Sequence, residues 1–218
     1  MTKLTEEMYQ IFDQPNFSFK KIKEEKTPQE VDELKQQFKQ VWQVWKEVNQ
    51  NVATQLPEGL FDKVHVESWT NGWNLRNHYW ASYRLKKWAN YNPCISVMFD
   101  KDQLLVYLMF QHYQSAKRSG DVADYNQLLA EIPAWSKDID LTNWYVWDKD
   151  DMDLNSRVSL ADYLNNTNLQ NSFNQRASET SFLVGKFAFR HKVKVDNMEE
   201  YILSGIQALL PLYQKCKF

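Results

Sequence analysis

The sequence predicts a single α+β domain over 1–218, built on a curved, mostly antiparallel sheet with flanking helices. Three observations predict it. A long amphipathic stripe covers about 28–50, two strand-like runs flank a tight turn between Cys94 and Phe110, and a second helical stripe covers about 197–213. No internal repeat or low-complexity linker divides the chain.

Taken in order, Thr5-Glu6-Glu7-Met8 opens a short helix with Thr5 as N-cap and Met8, Ile11 and Phe12 on its inner face. Pro15 ends it, and the lysine-rich stretch 16–27 reads as an exposed connection. Thr27-Pro28-Gln29-Glu30 combines an N-cap, a proline at the first helical position and the glutamate of a capping box. The helix it starts carries Val31, Leu34, Phe38, Val41, Trp42, Trp45 and Val48 at spacings of three and four. Leu56-Pro57-Glu58-Gly59 is a turn. Residues 63–69 alternate as a strand, with Val64, Val66 and Ser68 on one face. Asn71-Gly72 marks a tight turn.

Residues 79–85 read as a further strand. That puts Trp80, Ser82 and Arg84 on one face and Ala81, Tyr83 and Leu85 on the other. Cys94–Phe99 and Gln103–Phe110 form a hairpin about Asp100-Lys101-Asp102. Its return strand is almost wholly apolar, the pattern of a central strand covered on both faces. Val122, Tyr125, Leu128 and Leu129 give a helix over 121–131, stopped by Pro133. Trp144–Trp147 is a short strand, 159–164 a turn or two of helix, and 169–177 a polar stretch without a decisive period. Phe182–Phe189 reads as a strand. Asp196 caps the last helix, whose stripe is Met198, Ile202, Ile206, Leu209 and Leu210, and Pro211-Leu212-Tyr213 closes it.

Composition narrows the class. Hydrophobic residues make up 43% and aromatic residues 15%, enough for a compact core and against disorder. A formal net charge of −2 argues against a broad nucleic-acid surface or attraction to acidic membranes. Two cysteines, Cys94 and Cys216, suit free thiols in a reducing compartment rather than a disulfide scaffold. The start, Met1 to Glu7, lacks the apolar core of a signal peptide, and no run of about 18 apolar residues exists to span a membrane. A cytoplasmic protein is expected.

The basic aromatic segment Arg84–Tyr91, the hairpin Cys94–Phe110, Phe182-Leu183-Val184-Gly185-Lys186 and Leu209-Leu210-Pro211-Leu212-Tyr213 follow one another in a recognisable order. This arrangement resembles the YktB-like family of uncharacterised bacterial proteins, whose opening helix is comparable to Leu4–Phe12. Here Trp88-Ala89-Asn90-Tyr91-Asn92-Pro93 replaces the family's glycine-containing turn, which marks a divergent relative or a sister family. The resemblance implies the curved antiparallel sheet with packed helices. It implies no activity, and so no catalytic residues.

The functional expectation rests on Trp69–Tyr91, where Trp69, Trp73, Tyr79, Trp80, Tyr83, Trp88 and Tyr91 interleave with Arg76, Arg84, Lys86 and Lys87. Rings beside fixed positive charge suit an anionic or aromatic small molecule. The expected site is a locally basic cleft at one edge of the sheet. Trp80 and Trp88 would stack on the ligand, Arg84, Lys87 and Arg118 would hold its anionic group, and His78 would stand beside them. The competing account makes the tryptophans core and lets the lysine and arginine heads snorkel to water.

Two other functions compete with binding. One is an enzyme acting on a phosphorylated or nucleotide-like molecule, with His78 or His112 as general acid or base. The other is an interaction module that joins a larger assembly through exposed aromatics. His65, His78, His112 and His191 show no zinc-site spacing. Asp148, Asp150, Asp151 and Asp153 lack the glycine and glutamate of a calcium loop. No metal and no cofactor is expected. Dinucleotide, Walker and nucleophile-elbow motifs are absent, and five glycines leave little from which to build a phosphate-cradling loop.

Overall fold

The structure is a computed structural model that describes residues 1–113, 115–149 and 157–217. Its strands are β1 (His65–Val66), β2 (Thr70–Asn71), β3 (Asn74–Leu75), β4 (His78–Tyr83), β5 (Pro93–Asp100), β6 (Gln103–Phe110), β7 (Trp144–Asp148), β8 (Val158–Ser159) and β9 (Phe182–Phe189). Seven of them make one sheet in the order β1-β4-β5-β6-β9-β7-β8, and every neighbouring pair is antiparallel. Strands β2 and β3 form a separate small hairpin. The helices are α1 (Glu6–Gln10), α2 (Phe19–Glu25), α3 (Pro28–Gln55), α4 (Val122–Asn126), α5 (Ile132–Trp135), α6 (Leu160–Asn165), α7 (Thr167–Glu179) and α8 (Met198–Tyr213). The α+β class read from the sequence holds. Among the described residues, no helix is long and apolar enough to cross a membrane.

Alternation along the strands divides the sheet into two unlike faces. Tyr79, Ala81 and Tyr83 of β4, Val97 and Phe99 of β5, Val106 and Leu108 of β6 and Val184 of β9 join the main core with the helices. Residues one place away, Leu105, Tyr107, Trp147, Leu183 and Phe187, form a second cluster to which, among the described residues, no helix contributes. Tyrosines tie the first face to its helices. Tyr79 donates its hydroxyl to the Phe38 carbonyl at 2.7 Å, and Tyr83 donates to the Asn49 side-chain oxygen at 2.8 Å, both on α3. Tyr213 of α8 donates to the Pro93 carbonyl at 2.8 Å.

Two glycines set how closely these layers meet. A Cβ on Gly205 of α8 would stand 2.8 Å from the Val106 Cβ, so the helix presses on the central strand with no side chain between them. Gly185 of β9 lies between Tyr107 and Tyr145 of the flanking strands. A Cβ there would come within 2.5 Å of the Tyr107 Cβ and 2.6 Å of the Val106 carbonyl oxygen.

Several local expectations change. The stretch 16–27 contains α2, because Phe19 and Ile22, three residues apart, give it a face to bury. Helix α3 has the full capping box at Thr27 and Glu30 and continues five residues past the expected end, burying Val52. Only β1 pairs within 63–69, and β4 ends at Tyr83 before a 3₁₀ turn at Lys86–Trp88. Pro133 does not stop a helix. It lies in the first turn of α5, where a missing N–H costs nothing.

The polar stretch 169–177 belongs to α7, which Asn166 caps by accepting from the Leu169 N–H and which buries Phe173 and Ala177, four residues apart. Asn197 caps α8 in place of Asp196, accepting from the Glu200 N–H at 3.3 Å, and Pro211 sits inside the last turn of that helix.

Replacing Gly205 with alanine should force α8 away from Val106 and lower stability by about 1–3 kcal/mol, the usual cost of overpacking. A fall in the urea midpoint at unchanged slope checks it. Thr27→Ala, which removes only a cap, should cost about 1 kcal/mol by the same measurement.

Candidate functional site

On the face away from the main core, side chains from four adjacent strands floor a cavity of about 550 Å³: Trp80 of β4, Met98 of β5, Tyr107 and Met109 of β6 and Leu183 of β9. Trp80 and Met98 are direct partners across their strands. The Trp80 indole N–H donates to the Tyr107 hydroxyl at 3.1 Å, which holds the two rings in one surface. His65 stands edge-on behind Trp80, with ring centres 6.2 Å apart.

Polar groups close the two ends. At one lie Glu67, Asn71, Arg76 and His78. The Arg76 guanidinium meets the Glu67 carboxylate at 2.7 Å in a largely buried pair. His78 Nδ1 is 2.8 Å from the Asn77 side-chain oxygen. Burial, and then the Arg76 charge beside it, push the His78 imidazole down to about 4, so the ring is neutral at pH 7. At the other end lie Gln111, His112, Tyr113, Lys149 and Ser181. His112 Nε2 is 2.9 Å from the Ser181 hydroxyl, and its ring packs on Phe110 with centres 4.9 Å apart. Tyr113, exposed to solvent, lines the cavity, and Trp73, 87% exposed, stands at the turn of the hairpin whose Asn71 also lines it.

The six residues singled out from the sequence do not share one surface. Trp80 and His78 line the cavity. Arg84 is buried and turned inward. It donates to the Ser82 hydroxyl at 2.9 Å, to the Tyr91 carbonyl at 3.3 Å and to the Gln111 side-chain oxygen, all neutral acceptors. Arg118 is close enough that, after burial, the Arg84 charge is the next cause depressing its pKa, and its Nη1 is buried without a hydrogen-bond partner. Between them the Cys94 thiol is pushed up by burial against the opposing pull of both arginines, and it stays protonated.

Trp88 lies elsewhere, in the main core, with its ring 5.3 Å from that of Tyr213, and Lys87 is exposed with its ammonium 4.0 Å above the Trp88 ring. The reason is local. The strand alternation that aims Trp80 at the face away from the main core stops at Tyr83, and the 3₁₀ turn rotates Trp88 onto α8.

Both His78 and the carboxylate of Glu67 line the cavity, but Glu67 is engaged by Arg76. Asp148 pairs with Arg176 of α7 at 3.4 Å, while Asp150, Asp151 and Asp153 lie outside the described residues. Among the described residues, no group of three histidine, cysteine or acidic side chains is placed to hold a metal ion. Sequence reading missed Met98, Tyr107 and Met109, although strand alternation places them opposite the core. It had no means of finding Ser181, which meets His112 across 69 residues of chain.

A family model matches residues 4–216, a span that includes every residue of the cavity. The chain belongs to that protein family. An uncharacterized protein of Haemophilus influenzae is 27% identical over 216 residues, covering 99% of each chain. The similarity therefore runs through the sheet, the helices and the cavity together.

A direct check of the site's electrostatics is available at His78. Its ring resonances followed by NMR should titrate with a midpoint near pH 4 instead of the ordinary 6.5. Because the unfolded chain takes up that proton first, His78 should withdraw stability as pH falls from 6.5 towards 4. A His78→Gln variant should lose less over that window in denaturant melts.

Proposed function

We propose that this chain binds a small molecule with a flat apolar body, seated on Trp80, Tyr107, Met98 and Met109. One observation carries the reading: a cavity of about 550 Å³ opens on the sheet face away from the main core, and its floor is aromatic and thioether. That volume lies within the roughly 300–1,000 Å³ common for ligand pockets, and such pockets pair an apolar lining with a few polar groups. Methionines adapt their shape to a flat partner at small cost. Donors at the Gln111, Ser181 and Lys149 end favour a ligand whose head accepts hydrogen bonds or carries negative charge.

Within this reading Trp80 and His78 touch the ligand. Arg84 acts from behind Gln111 by charge alone, while Lys87, Trp88 and Arg118 take no part. Kinship with YktB-like proteins and a cytoplasmic setting belong to the same reading. Support for the first comes from the motifs around Gly185 and Leu209–Tyr213, and for the second from the two buried, unlinked thiols of Cys94 and Cys216.

A thermal-shift screen with nucleotides, sugar phosphates and aromatic carboxylates tests it. At least one aromatic or heteroaromatic compound should raise the melting temperature. Met98→Trp, which fills the floor, should abolish that shift, and Lys87→Ala, on the other face, should leave it intact. A shift that survives Met98→Trp, or hits confined to compounds without a planar group, would sink the proposal.

A further inference from the structure

We propose that Ser181 and His112 form a nucleophile and base that transfer the acyl group of an ester bound in the cavity. This rests on the ligand-binding reading above, because the ester has to lie on the Trp80 floor for its carbonyl to reach Ser181.

The fold brings the pair together. Strand β6 ends at Phe110 and β9 begins at Phe182, and the two are antiparallel neighbours with Leu108 opposite Val184. Extending that register by three places sets Gln111 opposite Ser181, so one edge of the cavity carries Gln111, His112 and Ser181 side by side. Ser181 Oγ and His112 Nε2 are 2.9 Å apart, within the reach that direct proton transfer needs. Ser181 is 1% exposed and borders the cavity, so its hydroxyl is withdrawn from bulk water at the cavity's edge. The Gln111 carboxamide oxygen is occupied by the buried Arg84 guanidinium, which leaves its N–H₂ as the donor end and polarises it. A positively polarised donor on the same edge of the cavity as the nucleophile suits a developing oxyanion.

The step balances with water as the only co-reactant. Ser181 Oγ forms a bond to the ester carbonyl carbon as its proton passes to His112 Nε2, and the carbonyl π pair moves onto oxygen. Collapse of that oxyanion breaks the carbon–alkoxy bond, and His112 returns the proton to the leaving alcohol. Water then attacks the acyl-serine, giving its proton to His112. The second collapse breaks the bond from the acyl carbon to Ser181 Oγ, His112 returns its proton to Oγ, and a carboxylic acid is released. Trp80 and the two methionines select esters with an aromatic or otherwise flat acyl or alkoxy group.

The test is labelling of the folded full chain with an alkyl fluorophosphonate, alongside hydrolysis of 4-nitrophenyl and naphthyl esters. Mass spectrometry should find one phosphonyl group on Ser181 and none in Ser181→Ala. Labelling should slow by about 100-fold or more in His112→Gln, the usual weight of a general base. Ser181→Ala should keep the melting transition, which separates loss of the nucleophile from loss of the fold.

Absence of label on Ser181 in the wild-type chain, label on another residue, or a rate indifferent to His112→Gln would overturn the inference. Binding without labelling would remove the catalytic pair and leave the cavity reading intact. Labelling that persists in Met98→Trp would remove the cavity reading instead.

Discussion

A strand that is apolar on both faces has to be dried on both faces, and among the described residues helices pack on only one face of this sheet. Strand β6 sits at the middle of the seven-strand order and buries Leu104, Val106 and Leu108 towards the helices and Leu105 and Tyr107 away from them. Burial of each such side chain stabilises the fold by about 1.5–3 kcal/mol, so neither set can be left wet. The helix side is covered by α3 and α8. The other side covers itself: Trp147, Phe187 and Tyr107 pack on one another, and the Arg157 guanidinium caps Phe187 at 4.5 Å. Towards β4 and β5 the same face carries Ser82, Cys94 and Ser96, which are small and buried, with the Arg84 guanidinium on the Ser82 hydroxyl. The cavity lies beside them, over Trp80, Met98, Tyr107, Met109 and Leu183.

The same asymmetry accounts for the placement of charge. Arg84 follows the end of β4 on the face opposite the main core and is buried there. It finds a hydroxyl, a carbonyl and a carboxamide. Hydrogen bonds from a charged donor are worth about 1.5–3 kcal/mol each when made and cost comparably when lost, so the three acceptors fix the guanidinium firmly. Because the charge lies behind Gln111, away from mobile ions, salt screens it far less than it would a surface lysine. At the opposite corner Arg190 ties the end of the sheet to the first turns of the chain, bonding Asp13 at 2.8 Å and the Lys101 carbonyl at 3.0 Å.

Legibility in the sequence follows the range of the interaction. Helix α3 could be read because Thr27, Pro28 and Glu30 are contiguous and its stripe is periodic, and the hairpin because Asp100 and its neighbours form a local turn. Asp100 indeed accepts from the backbone N–H of Asp102 at 2.8 Å and of Gln103 at 3.0 Å. Helix α7 was opaque because only Phe173 and Ala177 of thirteen residues are buried. At the site, alternation along β4 correctly separated Trp80 from Tyr83. It could not carry past the strand end, which is why Trp88 and Lys87 were grouped with residues on the other side of the sheet. Ser181 and Gln111 depend on the pairing of β6 with β9, and one sequence contains no trace of that partner choice.

Two-sided apolarity also has a price in uniqueness. In a sheet with one wet face, slipping a strand by one residue throws its hydrophobic set into water, and the pattern itself forbids the error. A one-place slip of β6 would merely exchange one greasy set for another. What forbids it here is shape. Gly205 admits only a close neighbour at the Val106 position, Gly185 leaves room only where Tyr107 crosses it, and the Asp100 turn counts residues into the strand. These few points of steric and hydrogen-bond contact act as the keyway of the sheet. They make the chain's alignment depend on two hydrogen atoms where a side chain would otherwise stand.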